Sequence, residues 1–234
     1  KRQTLMFSAT IPPRIRSLSR KIMKNPAEIS LEMSKPADGV MQRVYHLDEK
    51  QKLPLIRTLL NDNPDHRSIL IFTSTKRKVN DIVKGLRGDT YLVEGISSAL
   101  EQNEREKTLI RFSTRQCRVL VATDVLSRGI DIKDINMVIN YDAPSDAEDY
   151  VHRVGRTARA EKTGIAVTLL NGQDLGKMKH IEKLIGYKVD ISRLPESLAV
   201  EHPVNRGTRN SRPDHSGNKS KKLNNRRHFN RAAK

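Results

Sequence analysis

Four short apolar runs constrain this chain more than any other feature: 68–73 (SILIFT), 118–122 (RVLVA), 137–141 (MVINY) and 165–170 (IAVTLL). None alternates apolar with polar, so each reads as a strand buried on both faces. Segments 42–47 and 90–93 read as further strands. Helical spacing fills the gaps. Val79, Ile82, Val83 and Leu86 share one stripe, and Ala147, Tyr150, Val151 and Val154 share another. Segments 49–60 and 100–112 read as helices too. Strands alternating with helices give βαβ units, hence an α/β fold: one parallel sheet, helices on both faces, right-handed crossovers. The loops leave no room for a second fold between about 40 and 192.

The ends differ from this middle. Segment 3–8 (QTLMFS) reads as a strand, Pro12-Pro13 opens a helix carrying Ile15, Leu18 and Ile22, and 27–31 reads as another short strand. A linker signal, Ser34-Lys35-Pro36-Ala37-Asp38-Gly39, follows. At the other end, 203–234 holds ten Lys or Arg against one acid, Asp214, with Leu223 and Phe229 as its large apolar residues. Such a segment buries too little surface to offset its ordering entropy, and is expected to be disordered. It is either a nucleic-acid tether, each cation releasing counterions at a phosphate, or a solubilising tail.

Composition narrows the function. Of 234 residues, 44 are Lys or Arg and 27 Asp or Glu, a formal net charge of +17. That balance suits a polyanionic partner. No apolar run approaches the ~18 residues of a membrane span. Cys117 is the single cysteine, which excludes an internal disulfide and a cysteine-built zinc site and fits a reducing, cytoplasmic setting. No secretory leader opens the chain, and Lys1 in place of Met suggests a fragment or a processed chain. Trp is absent and aromatics are 4%, which argues against a broad base-stacking platform.

In a parallel sheet, ligands gather at the carboxyl ends of the strands. The loops after Thr73, Ala122 and Tyr141 therefore matter most. The second reads Thr123-Asp124-Val125-Leu126-Ser127-Arg128-Gly129-Ile130-Asp131. Its small donors could approach a phosphate and Asp131 a ribose hydroxyl; an ordinary turn would look similar. Downstream, His152-Arg153-Val154-Gly155-Arg156-Thr157-Ala158-Arg159 repeats arginine every three residues. His152, Arg156 and Arg159 share one face if the helix continues. Clustered guanidiniums repel and call for an anion, and their planar forks suit phosphate oxygens. A solvated basic face is the plainer alternative. No G-x-x-x-x-G-K-[ST] phosphate cradle occurs, since Gly176-Lys177 runs into Met178. The acids of 146–149 read as a helix N-terminal turn rather than a metal site.

These residues in this order resemble the C-terminal half of a DEAD-box ATP-dependent RNA helicase, of the bacterial RhlE-like branch. Ser8-Ala9-Thr10 resembles the SAT motif, 70–75 (LIFTST) motif IV, Gln102 with Arg105 the Q-x-x-R element, 121–131 motif V and 152–159 motif VI. The resemblance implies residues 1–33 as the end of a first RecA-like lobe, 34–40 as an interlobe linker, 41–192 as the second RecA-like lobe and 193–234 as a basic tail. It implies Arg156 and Arg159 as arginine fingers toward the γ-phosphate of ATP, with His152 and Arg153 bracing the interlobe interface beside them. Asp131 and Gly129 would meet the nucleotide. Thr75, Gln102, Arg105, Thr123, Arg128 and Gly129 would grip or support RNA backbone, and Ser8, Thr10 and His152 would couple the lobes. ATP, with Mg2+ held mainly by the first lobe, RNA, that first lobe and ribosomal or RNA-processing complexes are the implied partners. Two departures stand out: Ser97-Ser98 where the family has His-Gly, and Ala158 where motif VI has its second glycine. A binding module acting through its tail, or a lobe of a related DNA helicase, are the competing readings.

Overall fold

The structure, a computed structural model, describes residues 2–7, 11, 13–29, 36, 39–88, 91–124, 135–157 and 163–198. Their elements are α1 (Pro13–Ile22), β1 (Val40–His46), α2 (Glu49–Asp62), β2 (Ile69–Phe72), α3 (Lys76–Gly85), β3 (Val93–Ile96), α4 (Gln102–Ser113), β4 (Val119–Ala122), β5 (Met137–Asn140), α5 (Ala147–Val154), β6 (Gly164–Leu170) and α6 (Leu175–Ile185). Six strands form one sheet in the order β1-β6-β5-β2-β4-β3, and every pairing is parallel.

The apolar runs work as their composition demands. In β2 every residue is buried, with Ile69 and Ile71 in one cluster and Leu70 and Phe72 in another. Successive strand side chains point to opposite faces, so each run feeds two cores. One face packs Leu55, Ile56, Leu59 and Leu60 of α2 and Val79, Ile82 and Val83 of α3 onto the sheet. The other is covered by Phe112 of α4, Tyr150 and Val154 of α5, and Met178, Ile181 and Ile185 of α6. Each such side chain, fully buried, contributes about 1.5–3 kcal/mol.

Several expectations need correction. Residues 2–7 form no strand and are exposed, because a strand needs a ladder partner that its own pattern does not supply. Residues 26–29 form none either; Ser8, Ser30 and Leu31 lie outside the described residues. The third strand of the sheet runs over Val93–Ile96 rather than 90–93, since the ladder to β4 pairs Val93 with Val119 and Ile96 with Ala122. The glycine that disguised it is required there. A Cβ on Gly95 would stand 2.7 Å from Val79 Cγ1 and 3.0 Å from Val83 Cγ2, so α3 packs against bare backbone. Helix α6 was not expected, although Met178, Ile181 and Ile185 form its buried stripe and Gly186, at φ 83°, caps it. Helix α5 stops at Val154, with Gly155 as its C-cap, so His152 and Arg156 do not share a continuous helical face.

Candidate functional site

The strand order brings three loops together. Strands β5, β2 and β4 are neighbours, so the chain leaving Thr73, Ala122 and Tyr141 emerges side by side at the carboxyl edge of the sheet. Asp142, one residue past Tyr141 and 4% exposed, is the hub of this edge. Its Oδ2 accepts the Thr73 hydroxyl at 2.9 Å, the Ser74 N–H at 2.9 Å and the Ser74 hydroxyl at 2.8 Å. Its Oδ1 accepts the Lys78 ammonium at 2.6 Å, with Lys52 Nζ 3.7 Å away. Burial pushes this carboxyl up, but the Lys78 ammonium and the Ser74 and Thr73 donors outweigh it and hold it well below the usual carboxylate range. Lys52 is fully buried, yet its ammonium donates to the Tyr141 carbonyl at 2.8 Å and pairs with Glu49 at 3.0 Å.

Arg153 is the second organiser. Its Nε and Nη2 donate to the two oxygens of Asp124 at 2.6 Å each, and Nη1 donates to Asn140 Oδ1 at 3.2 Å and to the Asp142 carbonyl at 2.8 Å. The guanidinium also lies 5.1 Å from the Phe72 ring centroid. At 3% exposure its guanidinium is turned inward, with partners in β5 and in the loops after β4 and β5. A fixed fork fits this place because the Asp124 carboxylate beyond β4 and two oxygens at the end of β5 converge across β2, the strand between them.

The turn after α5 is tied a second time. Thr157, buried, donates its hydroxyl to the Ile135 carbonyl at 2.5 Å and bridges Ile135 in parallel. Residues 125–134 lie outside the described residues, and with them Arg128, Gly129 and Asp131. Both flanks of that segment are nevertheless pinned by the arginine-rich turn: Asp124 by Arg153, Ile135 by Thr157. Arg156 stands between the two ties, half-buried, its N–H donating to the Arg153 carbonyl at 3.1 Å. His152 is half-buried near the end of α5. Ser8, Thr10 and Arg159 also lie outside the described residues.

The expected backbone-gripping residues divide. Thr75 is exposed and caps α3, its hydroxyl accepting the Lys78 N–H at 3.2 Å. Thr123, half-buried, follows β4 at the same edge. Gln102 orients Arg105: its carbonyl oxygen accepts Arg105 Nη1 at 3.2 Å while its amide donates to Glu106 at 2.9 Å. Arg105 Nε is buried without a hydrogen-bond partner. Ser97 is buried and its hydroxyl accepts the Ala99 N–H at 3.3 Å, forming a local turn. Asp146 caps α5 by accepting the Glu148 N–H at 3.0 Å, as expected of acids at a helix start. Asp124 and Asp142 carry no role in the sequence reading. The signal was an acid just past a buried strand, at the edge where basic residues converge. Among the described residues no group of three or more His, Cys, Asp or Glu is placed to hold a metal ion.

Known proteins are similar to this chain in sequence and fold. A family model described as Helicase conserved C-terminal domain matches residues 51–161. The DEAD-box ATP-dependent RNA helicase CshA of Geobacillus kaustophilus is 38% identical over 83% of this chain and 42% of its own length. A crystal structure of the E. coli DEAD-box protein SrmB bound to regulator of ribonuclease activity A superposes with a TM-score of 0.62 at 30% identity, covering 68% of this chain and 93% of that one. S. cerevisiae Dbp5 bound to RNA and ADP BeF3 superposes with a TM-score of 0.70 at 29% identity, covering 81% of this chain and 50% of that one. The chain spans about half the length of the curated relatives it matches. Bacterial and eukaryotic relatives match alike, so they define a family and not a branch.

Proposed function

We propose that this chain, which belongs to the DEAD-box helicase family as its conserved C-terminal domain, works as the second lobe of an RNA-dependent ATPase that opens short RNA duplexes. ATP and RNA would bind in the cleft between this lobe and an N-terminal RecA-like lobe. Closure would bring Arg156 and Arg159 to the γ-phosphate, where fixed positive charge stabilises the developing negative charge. Arg153 acts there as a positioning residue. Asp131 and Gly129 would meet the nucleotide; Thr75, Arg105, Thr123 and Arg128 would hold RNA by its backbone, with Gln102 setting Arg105. Backbone contacts position RNA without reading its sequence. Residues 1–33 are assigned to the end of the first lobe, with Ser8, Thr10 and His152 in interlobe coupling. Within the family we assign the chain to the bacterial RhlE-like branch, and its setting to the cytoplasm. Mg2+ is assigned to the N-terminal lobe. No helix among the described residues is long and apolar enough to cross a membrane.

The observation that carries this reading is the double tie of the arginine turn to both flanks of 125–134, by Arg153 to Asp124 and by Thr157 to Ile135. It presents Arg156 from a rigid frame, as charge stabilisation in a transition state requires. The test is Arg156→Ala in the full-length protein. ATP turnover should fall by about 10³-fold or more, with RNA affinity changed far less. Turnover within a few-fold of the parent protein's would remove Arg156 from this role.

A further inference from the structure

We propose that Asp142 is a positioning residue that binds the RNA-side loop and the arginine-side turn into one body. This deepens the reading above and rests on it for the names of the two sides. The geometry is specific. The carboxylate of Asp142 holds the start of the loop carrying Thr75, through the Thr73 hydroxyl, the Ser74 N–H and the Ser74 hydroxyl. The main-chain carbonyl of the same residue accepts Arg153 Nη1, and Arg153 in turn fixes Asp124. A single residue thus carries both loads, one on its side chain and one on its backbone.

Its surroundings leave little freedom to yield. Lys78 closes the second carboxylate oxygen at 2.6 Å, and Lys78 is itself the residue whose N–H the Thr75 hydroxyl caps. Just upstream, the Tyr141 carbonyl is held by the buried Lys52, and Asn140 receives Arg153 Nη1 while its amide donates to Thr168 of β6 at 3.0 Å. Residues 140–142 are therefore gripped on successive polar groups. A shift of the Ser74–Thr75 loop must move the Asp142 backbone or break a charge-assisted hydrogen bond, and networks of this kind resist partial breaking. A fold needing only a stable strand end would not require a carboxylate facing the next loop.

The test uses Asp142→Ala and Asp142→Asn in the full-length protein, with two independent readouts. The first is spectroscopic and needs no activity. In Asp142→Ala, amide exchange at Ser74 should accelerate about tenfold or more while Ile71 in β2 keeps its protection. The Nε–H resonance of Arg153 should move as well, although no Asp142 side-chain atom bonds to that guanidinium. The second readout is RNA-stimulated ATP hydrolysis. The RNA concentration for half-maximal stimulation should rise about tenfold or more, since the substitution removes all four hydrogen bonds that end on the carboxylate and one bond to a charged group is already worth about tenfold, with a smaller change in kcat. Asp142→Asn, which keeps an oxygen for Ser74, should recover part of both effects. An unmoved Arg153 resonance beside faster Ser74 exchange would overturn the proposal, since the two jobs would be separate. Uniform loss of protection across the strands, or a kcat loss with half-maximal RNA unchanged, would overturn it too. A parent protein whose ATP hydrolysis ignores RNA would refute the proposed function alone, and the exchange and resonance data would still decide the link.

Discussion

Replacing Asp124 with Asn tests the frame behind the arginine turn. The substitution keeps the shape and one acceptor oxygen but removes the charge facing Arg153, and turns amide hydrogens toward guanidinium donors. Arg153 is left buried with Asn140 Oδ1 and the Asp142 carbonyl as partners. Breaking a fully buried pair costs about 3–5 kcal/mol. The Asp124 side chain is 28% exposed, so water recovers part of the loss and about 2–3 kcal/mol is expected here. At about 2–4 °C per kcal/mol for a domain of this size, Tm should fall by about 4–12 °C. The loss should be nearly the same at low and high salt, because a short, largely buried pair is little screened. Thermal unfolding followed by far-UV circular dichroism measures it. Arg153→Met added to Asp124→Asn should cost less than the two single losses combined, since it removes the stranded charge. A Tm change below about 1 °C for Asp124→Asn, or strict additivity in the double variant, would refute the reasoning.

Two further outcomes follow from groups whose ionisation the fold has moved. The folded Asp142 carboxyl lies below its ordinary value of 3.8, so its contribution to stability is fully present above that value and is lost as pH falls through the folded value; denaturant melts from neutral pH downward should show an acid limb that Asp142→Asn flattens, and an unchanged limb would show the carboxylate is not the source. Cys117 is buried, and burial followed by the nearby Glu94 pushes its thiol up to about 12, so a thiol reagent at neutral pH should label it only as fast as the protein opens; labelling at the rate of a free thiol would contradict its placement.

How far the molecule can be read from its residues differs by level. Strands β2, β4, β5 and β6 were legible because a run of Ile, Leu and Val buried on both faces has no other stable home than a covered parallel sheet. The arginine turn was legible because its residue types and spacing carry charge that calls for an anion. Strand β3 was misplaced because Gly95 and Glu94 look unlike a strand, and only the approach of Val79 makes a glycine necessary. Helix α6 is hard to read because its buried stripe is only three residues, Met178, Ile181 and Ile185, in a segment rich in lysine.

The local pattern of apolar and charged residues determined the class of fold and which strand ends lead into the polar and basic loops. These properties follow from periodicity and side-chain chemistry, which each short segment holds by itself. Tertiary structure alone decided that Arg153 turns inward to Asp124, that Thr157 closes on Ile135, and that Asp142 serves two loops at once. Those pairings join residues 11 to 69 positions apart. They depend on strand order, and no single segment specifies which of the others will lie beside it.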